Sequence, residues 1–159
     1  MRKPRELVRA HKLEKQIVKI LLAVDGSKYS IDAVDSVIRH ADWYREKPEV
    51  ELVTVHLPVP KLHNMHLVIG KNQIDEYYAE EGEAALVLAK KKLEAAGIKY
   101  RPSILVGQIA ETLVDHAAKT ACDVMVIGTH GHGATAGLLM GSVATKVVHI
   151  AKLPVLLVK

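Results

Sequence analysis

The chain has 159 residues, of which 49% are hydrophobic, and this length and composition suit one domain with a single core. Its one cysteine, Cys122, excludes an internal disulfide and fits a reducing compartment. No apolar run approaches the roughly 20 residues that span a bilayer, and the basic N-terminus lacks the apolar stretch of a signal peptide. We therefore expect a soluble, cytoplasmic protein that has no membrane partner.

The net charge of +4 is confined to the start of the chain. Residues 1–16 contain six basic and two acidic side chains, an excess that equals the whole net charge, and the remaining residues are neutral overall. A basic arm of this kind can touch an acidic partner, but more often it is a solvated extension or a short helix. We predict a basic extension over residues 1–16, a domain over residues 17–159, and no nucleic-acid partner.

Apolar runs predict five strands, and the segments between them have helical periodicity. The strands are predicted at residues 17–25, 50–57, 98–106, 124–129 and 154–158. Apolar residues recur at the spacing of an α-helix in residues 33–41, 74–96, 109–118 and 143–151. Residues 61–73 are polar and irregular, and Gly97 is a stop signal for the second helix.

This alternation predicts an α/β fold in which helices cover both faces of a single five-stranded parallel sheet. Ligands bind such sheets at the carboxyl ends of the strands, where the strand order reverses. The order 2-1-3-4-5 would reverse between strands one and three, and the order 3-2-1-4-5 between strands one and four. The end of strand one holds Asp25 and the end of strand four holds Gly128 and His130, whereas strand three ends in Val106 and Gly107. These residues favour the order 3-2-1-4-5, with a crevice between Asp25 and Gly128.

A glycine-rich loop separates the fourth strand from the last helix. Its pattern is Gly128-x2-Gly131-x9-Gly141-Ser142. Glycines let backbone N–H groups approach an anion closely, and a helix N-terminus adds roughly half a positive charge. The loop therefore indicates a phosphate site, although a glycine-rich turn without a ligand is an equally simple interpretation of the pattern alone.

The chain resembles the ATP-binding branch of the universal stress protein family. The glycine pattern is complete, the first strand ends in Asp25, the second ends in Val55-His56-Leu57, and the chain closes on Leu153-Pro154-Val155. The resemblance covers residues 17–159. It implies a Rossmann-like sheet of the adenine nucleotide alpha hydrolase type in the order 3-2-1-4-5, a dimer, and ATP bound across the crevice, with Mg²⁺ as an optional partner.

The resemblance also implies a set of nucleotide-binding residues. Adenine would contact Ala23, Val24 and Leu57, and Asp25 would face the ribose or a metal near the phosphates. The remaining binding residues would be Ile127, Gly128, His130, Gly131, Gly141, Ser142, Val143 and Ala144. Ala144 departs from the family pattern, because ATP-binding members often have a hydroxyl residue there. The missing hydrogen bond is typically worth only about 0.5–1.5 kcal/mol, so we expect weaker binding rather than none.

Several of these residues have other interpretations. Asp25 could cap the first helix, or Ser30 could cap it and leave Asp25 free. His130 and His132, or His63 and His66, suggest a metal pair only weakly, because nothing in their spacing brings them together. A Walker-type P-loop and the dinucleotide glycine fingerprint are absent.

Three functions remain open. The first is an ATP-binding stress-response or signalling module with little or no catalysis. The second is a slow Mg²⁺-dependent ATPase or nucleotide-transferring enzyme, which would need charge-stabilising cations that the glycine loop lacks. The third is a nucleotide-free dimeric protein that binds a partner. We favour the first because the glycines are intact and no nucleophile–base pair is identifiable.

The last strand predicts a homodimer. In the order 3-2-1-4-5 it is a sheet edge, and residues 155–158 are apolar on both faces. An exposed edge of this kind favours pairing with a second chain. We expect Val155 and Leu157 to lie in the interface; the alternative is a monomer whose basic extension covers the edge.

Overall fold

The computed structural model describes residues 17–59, 70–133 and 140–159. The strands are β1 (Lys19–Ala23), β2 (Glu49–His56), β3 (Tyr100–Val106), β4 (Val124–Gly128) and β5 (Val155–Val158). The helices are α1 (Lys28–Arg39), α2 (Lys71–Ala95), α3 (Ile109–Lys119) and α4 (Ser142–Ile150), with a short 3-10 helix at Ala41–Trp43. Strands and helices therefore alternate as the sequence predicts, and the basic extension at residues 1–16 lies outside the described residues.

All five strands pair in parallel in the order β3-β2-β1-β4-β5. This confirms the predicted order 3-2-1-4-5. The register pairs Leu22 of β1 with Leu52 of β2 on one side and with Val126 of β4 on the other. Because the reversal falls at β1 and β4, the carboxyl ends of these two neighbouring strands form the crevice of the sheet.

Helices cover the sheet in two layers, each with its own aliphatic core. On one face α1 and α2 pack against the sheet through buried residues such as Val34 and Leu86. On the other face α3 and α4 pack through Leu113 and Val147. Alternate residues of β1 divide between the two cores: Leu22 faces α1 and α2, while Leu21 faces α3 and α4. This double burial explains why the central strands are almost continuously apolar.

The helix bounds differ from the sequence prediction at α1, which begins at Lys28 rather than near residue 33, and at α2. This helix begins at Lys71, so residues 71–73, which the sequence predicts as irregular, form its first turn. It ends at Ala95, and Gly97 follows with a φ of +64°, the left-handed conformation expected of a glycine stop signal. The rest of the predicted irregular stretch, residues 61–69, lies outside the described residues. Among the described helices, none is both long enough and apolar enough to cross a membrane.

Candidate functional site

A cleft of about 490 Å³ opens between the carboxyl ends of β1 and β4. Residues from the predicted binding set that line it are Ala23, Val24, Asp25, Ile127, Gly128, His130, Gly131, Gly141, Ser142, Val143 and Ala144. Leu57 is the exception: it follows β2, is 55% exposed, and does not line the cleft. The fold thus brings together two loops that are about 100 residues apart in the chain, as parallel strands at a point of reversal require.

The floor of the cleft is apolar and comes from elements that sequence reasoning did not assign to it. Val53 and Val55 line it from β2, and Ile109 and Leu113 line it from the first turns of α3. A signal for both pairs exists in the sequence, because residues two apart on a strand or four apart on a helix share a face. Whether that shared face points into the cleft, however, depends on how α3 packs across β2. A floor of this kind suits a flat apolar group such as a purine base.

The N-terminus of α4 forms one rim of the cleft. Its N-cap is Gly141, which supplies no side-chain hydrogen bond, and its first turn contains no acidic residue. The first intrahelical bond runs from the Thr145 N–H to the Gly141 carbonyl over 3.0 Å. The N–H groups of Ser142, Val143 and Ala144 precede that bond, and all three residues line the cleft. The helix therefore presents first-turn donors and the positive end of its dipole at this rim.

The N-terminus of α1 forms the opposite rim and is arranged differently. The N-cap is Ser27, whose Oγ accepts a hydrogen bond from the Ser30 N–H over 3.3 Å. The Ser30 hydroxyl in turn donates to the Ser27 carbonyl over 2.9 Å. Neither Asp25 nor Ser30 is the cap, so both cap interpretations drawn from the sequence are wrong. Asp25 lies outside the helix, and its Oδ1 accepts the Ser27 N–H over 2.9 Å.

Asp25 is held as a carboxylate by its neighbours. Partial desolvation raises the pKa of its carboxyl, but the hydrogen bonds from Ser27 and Ser30, together with the charge of His132, outweigh that effect and lower the pKa below its usual value. The residue remains solvent-exposed. Asp25 therefore places one negative charge at the α1 rim of the cleft at neutral pH.

Packing alone requires a glycine at position 128 and leaves little room for a side chain at position 141. A Cβ on Gly128 would lie 2.7 Å from the carbonyl oxygen of Tyr29, so β4 approaches the start of α1 backbone to backbone. A Cβ on Gly141 would lie 3.3 Å from the Thr129 carbonyl oxygen, which accepts the Gly141 N–H over 2.7 Å. The sequence interpretation assigned these glycines to close approach by an anion. The structure adds a reason that applies before any ligand binds.

Gly131 and His132 join the two rims. A Cβ on Gly131 would lie 2.6 Å from Asp25 Oδ2, so only a glycine allows this approach without moving the carboxylate. The His132 N–H donates to Asp25 Oδ2 over 3.3 Å, and its Nε2 lies 2.8 Å from the Asp25 carbonyl oxygen. Because a carbonyl can only accept, Nε2 is the protonated ring nitrogen in this contact. These contacts tie the loop after β4 to the loop after β1.

The two histidines of the loop contact different groups. His130 Nδ1 lies 3.1 Å from Thr129 Oγ1 and its ring packs against Tyr29, whereas His132 contacts Asp25. Within residues 17–59, 70–133 and 140–159, no group of three or more His, Cys, Asp or Glu side chains is placed to hold a metal ion. His63 and His66 lie outside these ranges.

Comparison with known proteins places the chain in a family. The model of the universal stress protein family matches residues 17–159. Universal stress protein MJ0531 of Methanocaldococcus jannaschii is 32% identical over 142 residues, covering 89% of this chain and 81% of that protein. Universal stress protein YxiE of Bacillus subtilis is 26% identical and is matched over 98% of its length.

Solved structures agree with this result. The structure of MJ0577, a universal stress protein of Methanocaldococcus jannaschii, superimposes with a TM-score of 0.74 at 27% identity, over 91% of this chain and 96% of that one. A universal stress protein solved in complex with cAMP gives a TM-score of 0.60 at 26% identity, over 90% of this chain and 97% of that one. The chain therefore belongs to the universal stress protein family.

Proposed function

We propose that this protein is a stress-response or signalling module that binds an adenine nucleotide, ATP, in the cleft between β1 and β4. The observation that supports this most directly is the uncapped N-terminus of α4 beside an apolar floor. One end of the cleft suits a base and the other suits phosphate oxygens. A relative that is 26% identical was solved in complex with cAMP, which supports the same class of ligand.

In this proposal the base packs between Ala23, Val24 and the apolar floor, and the phosphates lie at Ser142, Val143 and Ala144. Leu57 has no part in it, because it does not line the cleft. Ala144 is 2% exposed and contributes its N–H but no hydroxyl. Asp25 faces the ribose. We assign the nucleotide-binding domain to residues 17–159, so a chain that lacks residues 1–16 should bind equally well.

Thermal denaturation with nucleotide tests the proposal. Ligand at 100 times its dissociation constant stabilises a fold by about 2.7 kcal/mol. For a domain of this size that corresponds to a rise in Tm of roughly 5–11 °C. The protein must first be freed of bound nucleotide, with the released material identified by mass spectrometry. An unchanged Tm at millimolar ATP and Mg²⁺ would contradict the proposal.

A substitution at the start of α4 separates binding from folding. Ser142→Asp places a carboxylate in the first turn, where it stabilises the helix by about 0.3–1 kcal/mol while repelling phosphate. We expect the Tm of the free protein to be kept or raised and the nucleotide-dependent rise to be lost. Ser142→Asn, which has the same shape without the charge, is the control and should retain most of the rise.

We propose further that the bound nucleotide is hydrolysed slowly or not at all. Phosphoryl transfer needs charge-stabilising cations and an oriented nucleophile. Among the described lining residues, none is Lys or Arg. Turnover of purified protein should stay below about 1 s⁻¹, the low end of the usual enzyme range. A faster rate that disappears in Asp25→Asn would instead assign catalysis to this site.

We propose that two copies pair through β5. Within the part of the chain that the structure describes, this strand is a sheet edge that pairs only with β4. The side chains of Val155 and Leu157 pack into the core under α3 and α4. These two residues would therefore contact a partner strand through their backbone N–H and C=O groups. Leu156 is 49% exposed and is the side chain available to a partner. The opposite edge, β3, carries Pro102, which lacks a backbone donor and so disfavours pairing there.

Light scattering on matched variants tests the dimer. Leu156→Lys should convert a dimer to a monomer by placing a charge beside the paired edge. Val106→Lys is the control, because Val106 is 45% exposed on the other edge strand and should leave the dimer intact. A monomeric mass for the unaltered protein at micromolar concentration would end the proposal, and a dimer that survives Leu156→Lys would move the interface elsewhere.

A further inference from the structure

The cleft has an unusual charge for a polyphosphate site. Its described lining includes one carboxylate, Asp25, and no Lys or Arg. Residues 134–139 of the loop, which lie outside the described ranges, also contain no Lys, Arg, Asp or Glu. The donors that remain are the N–H groups of the first turn of α4, the Ser142 hydroxyl and the imidazoles of His130 and His132. Among the described residues, the site therefore offers donors to phosphate oxygens but no Lys or Arg to offset their negative charge.

The lysines nearest in sequence to the two rims add no positive charge to the described lining of the cleft. Lys146 lies in the second turn of α4, where its Nζ forms an ion pair with Glu111 of α3, and Lys28 begins α1. Neither residue lines the cleft. Phosphate charge, by contrast, differs greatly among adenine nucleotides: a terminal phosphate carries about −2 at pH 8, and ATP carries roughly two further negative charges.

We propose that the cleft selects among adenine nucleotides by phosphate charge, so that it binds AMP on its own but binds ATP tightly only as the magnesium complex. This inference rests on the proposed function. The first-turn donors of α4 and its dipole, equivalent to about half a positive charge, offset a monophosphate in part. They leave most of the negative charge of the triphosphate unbalanced, and the carboxylate of Asp25 adds a further negative charge beside it. A divalent cation that is bound to ATP supplies the positive charge that the described lining of the cleft lacks.

Gly133 offers a direct way to alter that balance. It lines the cleft, it is exposed, and a Cβ built on it meets no atom of the described residues within 4 Å. Its φ is not positive, since the positive-φ glycines among the described residues are Gly26 and Gly97. Neither the backbone conformation nor the described neighbours therefore oppose a side chain at this position. Gly133→Lys adds the missing cation, and Gly133→Gln adds similar bulk without charge.

The experiment is calorimetric titration with AMP and ATP at pH 8, each in EDTA and in excess Mg²⁺. In EDTA we expect AMP to bind at least about tenfold more tightly than ATP, the ratio that one uncompensated charge at an exposed site produces. Mg²⁺ should bring the two within about threefold. Gly133→Lys should tighten metal-free ATP by about tenfold and AMP by less, and Gly133→Gln should leave the ratio unchanged.

Two outcomes overturn the inference and leave the proposed function standing. One is equal affinity of the unaltered protein for AMP and ATP in EDTA, which would mean that a cation from elsewhere reaches the phosphates. The other is a Gly133→Gln effect as large as that of Gly133→Lys. A failure of every nucleotide to bind in any buffer has a different meaning, since it removes the proposed function itself.

Discussion

The two helices that meet at the cleft begin in opposite ways. At the start of α1, backbone N–H donors find partners within the chain, because Ser27 caps the helix and Asp25 accepts the Ser27 N–H. The first turn of α4 begins at a glycine, without a side-chain cap or an acidic residue. Both rims have small polar residues, so composition alone does not distinguish them. The difference teaches that the candidate ligand position is the helix start that the chain leaves uncapped, whereas the capped start stabilises the fold.

The largest effect should come from the contact that sets the distance between the two rims. In Gly128→Ala the new Cβ would lie 2.7 Å from the Tyr29 carbonyl oxygen, and neither backbone can yield easily. We expect a loss of about 3 kcal/mol in the free energy of unfolding, as for overpacked cores. Urea denaturation measures it. Gly133→Ala, whose Cβ has open space, is the control, and equal stability of the two variants would show that the rims tolerate separation.

A smaller effect should separate the two helix starts directly. Ser27→Ala removes the cap of α1 and should lower the free energy of unfolding by about 1 kcal/mol, or roughly 2–4 °C in Tm. Ser142→Ala, at the start of α4, removes a side chain that makes no capping bond and should leave the Tm of the free protein nearly unchanged. A loss as large in Ser142→Ala as in Ser27→Ala would erase the contrast between the two rims.

The smallest effect should appear in the pH dependence of stability. Because the pKa of Asp25 is lowered in the folded protein, its stabilising contribution is present above the ordinary value of 3.8 and is lost as the pH falls through the folded value. Asp25→Asn should cost about 0.5 kcal/mol at pH 7, a small amount because the residue is exposed. The difference in the free energy of unfolding between the variant and the unaltered protein should disappear once the pH falls below the pKa of Asp25 in the folded protein. If the difference in the free energy of unfolding stays constant down to pH 2, the effect comes from the changed side-chain shape and not from the lost charge.

Much of the fold follows from the amino-acid sequence. The alternation of strands and helices is encoded locally, because a period of two or of 3.6 residues and a glycine stop such as Gly97 act over a few positions. The strand order also followed from the sequence, since Asp25 and Gly128 are useful to a ligand only if β1 and β4 are neighbours. Family membership rests on the same residues, and the glycine pattern is readable without a structure.

The details of the cleft were decided by tertiary packing. Sequence reasoning placed Leu57 against the base and left out Val55 and Leu113, because which side chains of β2 and α3 reach the cleft depends on how the layers cross. It assigned the α1 cap to Asp25 or Ser30, whereas the backbone geometry after β1 selects Ser27. The prediction that Gly128 binds a ligand stays untested, and the structure adds that the close approach of Tyr29, 99 positions earlier, already requires a glycine. Local patterns specify which element forms, but contacts between residues distant in the chain exist only once the sheet has assembled.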